Sequence, residues 1–375
     1  MKFNVPSKTL YSYTSAVSKV INAKNALTVL NNFLFTLDGD TLTVTAADME
    51  NCLMARVPVT GAEGTGSFCL DARRIVDLLK ELPDHGVTFD IDETTLEAVI
   101  TYCNGEYRTV AINGSEYPEF KQEMEGETIS FRCPTNVVMR GIENTLFAVG
   151  NDELRPMMMG ILWDVKPDKI VFVATDTRKL VKYSTAKVAP EVEGSFILPL
   201  KAATVLKNVF GKEDEVNITV SPRSIVFESS SYTFNCRLIK GSFPDYNRVI
   251  PQSNPYVMGI NRLDLLNAVR RVGLFANAGN GLIKFKIEDQ KLTLKVQDSG
   301  FGTSGREQLQ CDYTGKDFMI GFGAPYLLEI LSTLSTETVM MKLSDPSRPA
   351  VCVPDKDEDD TEMLVLLMPM SFTEY

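Results

Sequence analysis

The chain has 375 residues, 44% hydrophobic and 23% charged, and its 38 basic and 49 acidic side chains leave a net charge of −11. This is the composition of a globular protein too long for one ordinary core. No apolar run approaches the ~20 residues of a membrane helix, and the opening MKFNVPSKTLYSYTSAV lacks the basic and apolar regions of a secretory signal, so a cytoplasmic protein is expected.

In chain order, Leu10, Tyr13, Val17, Val20 and Ile21 recur at helical spacing, with Ser7 as the expected cap. NFLFTLDGDTLTVTAAD alternates around Asp38-Gly39 and predicts a hairpin. A helix is expected after Asp71, with Ile75, Leu78, Leu79 and Leu82 on one face, and TLEAVITY and YRTVAIN read as strands. The middle of the chain predicts a helix from Thr135 to Val149, a hairpin turning at Pro167-Asp168 and a helix from Lys201 to Phe210. The last part predicts a helix from Arg262 to Phe275, a hairpin through Glu288-Asp289, a helix from Pro325 to Leu334 and a final strand LVLLMPM. Polar linkers are expected at Glu123–Glu127, around Gly126, and at Pro251–Pro255. Strands and helices do not strictly alternate, so the fold class is α+β rather than a doubly wound parallel sheet.

These elements lie on one ruler. Tyr117-Pro118-Glu119-Phe120 returns as Phe243-Pro244-Asp245-Tyr246, 243 − 117 = 126 residues later. GSFCLDARRIVDLLK at Gly66 returns as GSFILPLKAATVLK at Gly194, 194 − 66 = 128 residues later, and Phe318 stands 318 − 196 = 122 residues after Phe196. Strands end at Asp48, Asp176 and Asp298. Three tandem similar domains follow, at 1–124, 125–251 and 252–375.

Signs of catalysis are few. His85, the one histidine, sits in an expected surface turn, so there is no second His for a metal cluster and none placed to activate a nucleophile. Gly300 to Gly305 matches GxGxxG, but REQLQCDY after it alternates like a strand, where a dinucleotide site needs a helix N-terminus. Asp90, Asp92 and Glu93, and the run Pro354 to Glu362, read as solvated acidic turns. The seven cysteines form no CxxC pair; Cys52, Cys69, Cys103 and Cys236 lie in or beside apolar runs and read as buried free thiols in a reducing compartment. No metal and no cofactor is expected.

Positive charge is placed more tellingly. Lys19 projects roughly opposite the apolar stripe of the first helix, with Lys24 just beyond its end. Arg73 and Lys80 lie opposite Ile75, Leu79 and Leu82, and Arg140, Lys201, Lys207 and Arg271 take similar places in later helices. The sixth helix, YLLEILSTL, has no Lys or Arg. Five corresponding helices thus suggest one basic surface on an acidic molecule.

Four segments carry a resemblance: MKFNV at the start, Ala174-Thr175-Asp176-Thr177-Arg178-Lys179-Leu180, Gly241-Ser242-Phe243-Pro244-Asp245-Tyr246 with Arg248-Val249, and Met368-Pro369-Met370. Together with the threefold repeat they make the whole chain similar to the bacterial sliding clamps, the beta subunits of DNA polymerase III. The resemblance implies a non-catalytic processivity factor of the DNA clamp fold, in which two chains form a six-domain ring with helices inside and sheets outside. Its implied partners are double-stranded DNA, held without sequence readout by Lys24, Arg73, Arg74 and Lys201, with the Asn151-Asp152 loop nearby, and a second copy of the chain, met through Tyr107, Thr109, Leu274 and Phe275. DNA polymerase, clamp loader and repair proteins would dock short peptides in a cleft formed by Met158, Thr175, Thr177, Arg178, Leu180, Pro244, Arg248, Val249, Tyr326, Leu366, Leu367, Met368, Pro369 and Met370. Two departures bear on peptide preference: Asn280 replaces an aromatic found in some members, and Ser371 to Tyr375 extends past the usual ending, free to fold over the cleft or to dangle. The alternatives are a scaffold that never meets nucleic acid and a cytosolic enzyme with its site between domains.

Overall fold

The structure, a computed structural model, describes residues 1–22, 24–120, 126–277 and 279–372. It opens with β1 (Lys2–Pro6), α1 (Ser7–Val17), β2 (Asn32–Asp38), β3 (Thr41–Ala47), β4 (Asn51–Pro58), β5 (Thr60–Glu63), β6 (Gly66–Asp71), α2 (Ala72–Glu81), β7 (Gly86–Ile91), β8 (Glu97–Tyr102), β9 (Gly105–Val110) and β10 (Ile112–Asn113). Next come β11 (Ile129–Pro134), α3 (Thr135–Thr145), β12 (Gly160–Lys166), β13 (Lys169–Thr175), β14 (Lys179–Thr185), β15 (Gly194–Pro199), α4 (Leu200–Val209), β16 (Glu215–Val220), β17 (Ser224–Glu228) and β18 (Tyr232–Arg237). The chain closes with β19 (Tyr256–Asn261), α5 (Arg262–Gly273), β20 (Leu282–Glu288), β21 (Lys291–Asp298), β22 (Thr303–Gln310), β23 (Asp312–Tyr313), β24 (Phe318–Gly323), α6 (Ala324–Thr333), β25 (Thr338–Leu343), β26 (Ala350–Pro354) and β27 (Thr361–Leu367). The α+β reading holds, and no described helix is long and apolar enough to cross a membrane.

Local chemistry accounts for the punctuation. Asp48, Asp176 and Asp298 each end a strand because their carboxylates turn the chain: Oδ1 accepts the N–H of Glu50 and Asn51, of Arg178 and Lys179, and of Gly300 and Phe301, at 2.7–3.3 Å. Asp71 caps α2 by accepting the Arg74 N–H at 2.7 Å. Ser7, the expected cap of α1, is instead its first helical residue, preceded by Pro6. Its buried hydroxyl donates to the Pro83 carbonyl at 2.6 Å, so tertiary packing claims the group a cap would use. The final strand stops at Leu367, one residue before Met368-Pro369-Met370, where the missing proline N–H breaks the ladder. Of the first expected linker, Glu123 to Glu125 lie outside the described residues, while Gly126 has φ +94°.

Two compact units emerge, Met1–Asn136 with Thr204–Leu238, and Val137–Ala203 with Ile239–Tyr375. The middle third of the chain is therefore shared between them. The first unit holds a five-stranded antiparallel sheet, β5-β1-β7-β8-β9, and a nine-stranded one, β10-β6-β2-β3-β4-β18-β17-β16-β11. The second holds a nine-stranded sheet, β15-β12-β13-β14-β27-β26-β25-β19-β23, and a four-stranded one, β22-β21-β20-β24. Each nine-stranded sheet joins two successive parts of the chain along one seam. In the first unit β4 meets β18, with Leu53 opposite Phe234; in the second β14 meets β27, with Val181 opposite Val365. All four of these side chains are fully buried, which fixes the register.

Candidate peptide groove and basic faces

Strand alternation gives the β14–β27 seam two different faces. Val181 and Val365 point into the core, while their neighbours Leu180 and Leu366 point the other way and join Leu162, Val171, Val173, Ile197 and Phe243 in an apolar cluster. Met157, Ile239, Tyr246, Leu364 and Met368 are partly buried against it. Beside this cluster runs a cavity of about 420 Å³ lined by Leu162, Phe196, Ile197 and the segment Gly241 to Tyr246. Tyr246 is held in place by donating its hydroxyl to Asp164 at 3.0 Å; burial first, and that carboxylate second, push its phenol up to about 12.

At the seam's end, Met368 donates its N–H to the Arg178 carbonyl and Met370 donates its N–H to the Gly321 carbonyl, both at 2.8 Å. This draws Met368-Pro369-Met370 across to β24. Gly323 lies beneath Tyr326 and Met370: a Cβ there would meet Tyr326 Cδ2 at 2.9 Å and Met370 Sδ at 3.4 Å. Lys179 fixes Tyr326 from the other side. Its buried ammonium pairs with Asp176 at 2.8 Å and Glu329 at 2.7 Å and lies 5.0 Å from the Tyr326 ring centre. Burial opposes the charge, but the two carboxylates outweigh it and hold the Lys179 pKa above its ordinary value.

The structure thus places Leu180, Leu366 and Met368 in one apolar cluster and sets Tyr326 and Met370 together beside Gly323. Arg178, Pro244, Arg248 and Val249 are exposed, with Arg248 paired to Asp245 at 3.0 Å, and Met158 is half-buried. Thr175 serves the turn: it donates to the Lys179 carbonyl at 2.8 Å and accepts the Thr177 N–H, which Thr177 presents from φ +75°. Leu367 is fully buried on the face opposite Leu366 and belongs to the core. Sequence reasoning omitted Met157, Leu162, Ile197, Ile239 and Leu364; alternation with Leu180 and Leu366 would have signalled Leu162, Ile197 and Leu364. Asn280 accepts the Leu282 N–H with its side chain. Phe372 lies under the Lys284 ammonium at 5.0 Å, on the β20 side, while Thr373 to Tyr375 fall outside the described residues.

Lys19, Lys24, Arg73, Arg74, Lys80 and Lys207 are exposed, and Lys201 is half-buried. Some of the expected basic positions already carry acidic partners: Arg140 pairs with Glu358 at 3.6 Å and Arg271 pairs with Glu307. The acidic run is therefore not merely solvated, since Glu358 also takes Lys187 at 3.3 Å. Arg155 pairs with Asp152 at 3.6 Å and Arg73 with Asp77 at 3.7 Å. His85 is exposed in a turn, and the GxGxxG segment runs from the β21–β22 turn into the start of β22. Cys103, expected buried, is exposed in the β8–β9 turn, and the other six thiols are buried. Among the described residues, no group of three or more His, Cys, Asp or Glu side chains could hold a metal ion.

Repeated α+β units with an apolar groove and exposed basic helix positions define a binding protein. Three family models cover nearly the whole chain: DNA polymerase III beta subunit, N-terminal domain over residues 1–121, central domain over 132–245 and C-terminal domain over 247–371. The chain belongs to the DNA polymerase III beta subunit family, whose members are sliding clamps and not enzymes. It is 27% identical to the beta sliding clamp of Pseudomonas aeruginosa over 372 residues, covering 99% of this chain and 100% of that one. It is 25% identical to the beta sliding clamp of Staphylococcus epidermidis over 375 residues, covering 98% of each. A solved Pseudomonas aeruginosa sliding clamp bound to griselimycin superposes with a TM-score of 0.92 at 26% identity over 99% of this chain and 100% of that one. The beta subunit from Streptococcus pyogenes, 22% identical with a TM-score of 0.93 over 99% of this chain and 100% of that one, shares the fold.

Proposed function

We propose that this sliding clamp acts as a ring of two copies joined head to tail, each contributing domains 1–124, 125–251 and 252–375. The ring encircles duplex DNA in the cytoplasm and tethers polymerase, clamp loader and repair proteins through short peptides in the β14–β27 groove. The observation that carries the reading is a count of strands. The five-stranded sheet ends in β9 and the four-stranded sheet ends in β22. Placed edge to edge they would make 5 + 4 = 9 strands, the size of the two sheets each chain already completes.

The repeat supports a particular register. Phe131, Ile218, Phe227 and Phe234 stand opposite one another in succession across β11, β16, β17 and β18, as Phe3, Phe89, Ile100 and Tyr107 do across β1, β7, β8 and β9. Tyr107 is thus the counterpart of Phe234. In the hairpins, Asp48 bonds to Asn51 as Asp298 stands opposite Thr303, so Gly305 is the counterpart of Leu53. The same ladder on the third part of the chain leads from Met258 through Met341 and Cys352 to Val365, whose observed partner is Val181, the counterpart of Leu53. Tyr107 of one copy should then lie opposite Gly305 of the other, Glu106 opposite Arg306 and Thr109 opposite Thr303. A Cβ on Gly305 would sit 3.5 Å from Phe275 Cβ, so Tyr107 would land beside Phe275 and the 83%-exposed Leu274.

Binding to DNA would rest on Lys24, Arg73, Arg74 and Lys201 meeting phosphates without reading bases, which lets a closed ring slide. Met and Leu side chains suit a groove that accepts several peptides. The test is retention: protein loaded by its clamp loader onto nicked circular DNA should stay bound through a salt wash and be released when the circle is cut. Equal retention on cut and uncut DNA would overturn the ring.

A further inference from the structure

The β4–β18 seam carries its own groove, on the face corresponding to the β14–β27 groove. Asn235 stands opposite Cys52 as Leu366 stands opposite Leu180. Tyr117, Cys69 and Leu34 take the places of Phe243, Ile197 and Leu162 in a second apolar cluster, with Phe120 packed against it where Tyr246 packs in the first. A cavity of about 300 Å³ opens there, lined by Leu27, Leu30, Met49, Phe120, Asn235 and Arg237 among others. Met49 is 60% and Leu27 45% exposed at its mouth.

The floor of this groove differs in kind. Cys52 and Asn235 replace two leucines, which shortens one floor residue and makes the other polar. Asn235 is only 8% exposed, lines the cavity, and its amide makes no hydrogen bond to another described residue. An amide at a cavity wall can both donate to and accept from a ligand that enters it.

We propose that the β4–β18 groove is a second peptide-docking site, taking an extended segment of a partner protein anchored by a tyrosine. The ring would enter the cavity and lie against the Met49 thioether, a favourable sulfur–aromatic pairing. The phenol would reach the Asn235 amide, bonding it while keeping an apolar body against Leu27, Leu30 and Phe120. The class of ligand is taken from the reading of the β14–β27 groove; the residues that select tyrosine belong to this one.

A display library of short peptides with a fixed central tyrosine, panned on the full-length chain, tests the idea. Enriched peptides should bind Met370→Asp as well as wild type, which separates them from ligands of the first groove. They should lose about tenfold in affinity on Asn235→Leu, the loss of one buried hydrogen bond, and on Met49→Asp, a surface change that spares the core. Asn235→Leu should also shift the preferred anchor from tyrosine to leucine. No enrichment over a matched library with glycine at the centre would overturn the proposal. So would enriched peptides indifferent to Met49→Asp, the variant that remains informative if Asn235→Leu does not fold.

Discussion

The β14–β27 and β4–β18 seams share one backbone plan and differ on one face. Toward the core both present large apolar pairs, Val181 with Val365 and Leu53 with Phe234, all fully buried. On the other face, one presents Leu180 with Leu366 and the other Cys52 with Asn235. Strand alternation lets the same strands hold the sheet together with every second side chain and shape an outer apolar face with the rest. The edges β9 and β22 complete the comparison, since they have no strand partner on their outer side among the described residues.

The largest effect should come from denying those edges their partner. Leu274→Asp with Phe275→Asp puts charge where Tyr107 of a second copy would pack, and truncated hot spots of this kind cost about 2 kcal/mol or more each. Sedimentation equilibrium should show the dimer weakened by roughly a thousandfold, since each 1.4 kcal/mol is tenfold, with the melting temperature of the monomer unchanged. An unaltered dimer would mean that the third seam is not built like the first two.

Asp176→Ala tests the shared framework. It removes the acceptor for two backbone N–H groups and one partner of the buried Lys179. A loss of about 2–4 kcal/mol is expected in denaturant titrations, because buried charges and donors left unpaired are costly. Asp48→Ala, whose carboxylate also accepts two turn N–H groups and bonds the Asn51 amide, should fall in the same range. Lys179 adds a pH signature. Its folded pKa is raised, so its stabilising contribution is fully present below the unfolded value of about 10.4 and is lost as pH rises through the folded value. The stability difference between wild type and Lys179→Met should therefore be constant from neutral pH to about 9 and shrink only above about 10.4.

Met370→Asp should separate the two faces. It lies off the core, so stability should change by less than about 0.5 kcal/mol, while a fluorescent peptide from the polymerase should bind about 30-fold more weakly, about 2 kcal/mol. The smallest effect belongs to the basic positions: Lys24→Ala or Arg73→Ala should each lower the slope of log affinity against log salt by about one and leave sequence preference unchanged.

Much of this was legible in the chain. The helix and hairpin positions followed from periodicity, and the domain repeat followed from Asp48, Asp176 and Asp298, whose shared turn chemistry explains the spacing. Other features depend on distant partners. Ser7 reads as a cap until Pro83 takes its hydroxyl, Cys103 reads as core until a turn exposes it, and Arg140 reads as a free cation until Glu358 reaches it. Leu367 and Thr175 carried a motif resemblance into the groove list, although alternation sends one inward and hydrogen bonding ties the other to its turn. The Asn235 groove was invisible because its members are scattered from Leu27 to Arg237 and only the seam assembles them.

The central claim is that the chain closes a ring by pairing β9 of one copy with β22 of the other in the register of its internal seams. Glu106→Cys with Arg306→Cys, in a Cys103→Ser background, tests it directly, because the remaining six thiols are buried. On mild oxidation the account predicts a covalent dimer of twice 41.6 kDa, cross-linked at both junctions, which is released by linearising circular DNA but not by denaturant. Monomers only, or efficient cross-linking when the second cysteine is moved from Arg306 to Ser304 or Gln308 instead, would contradict it.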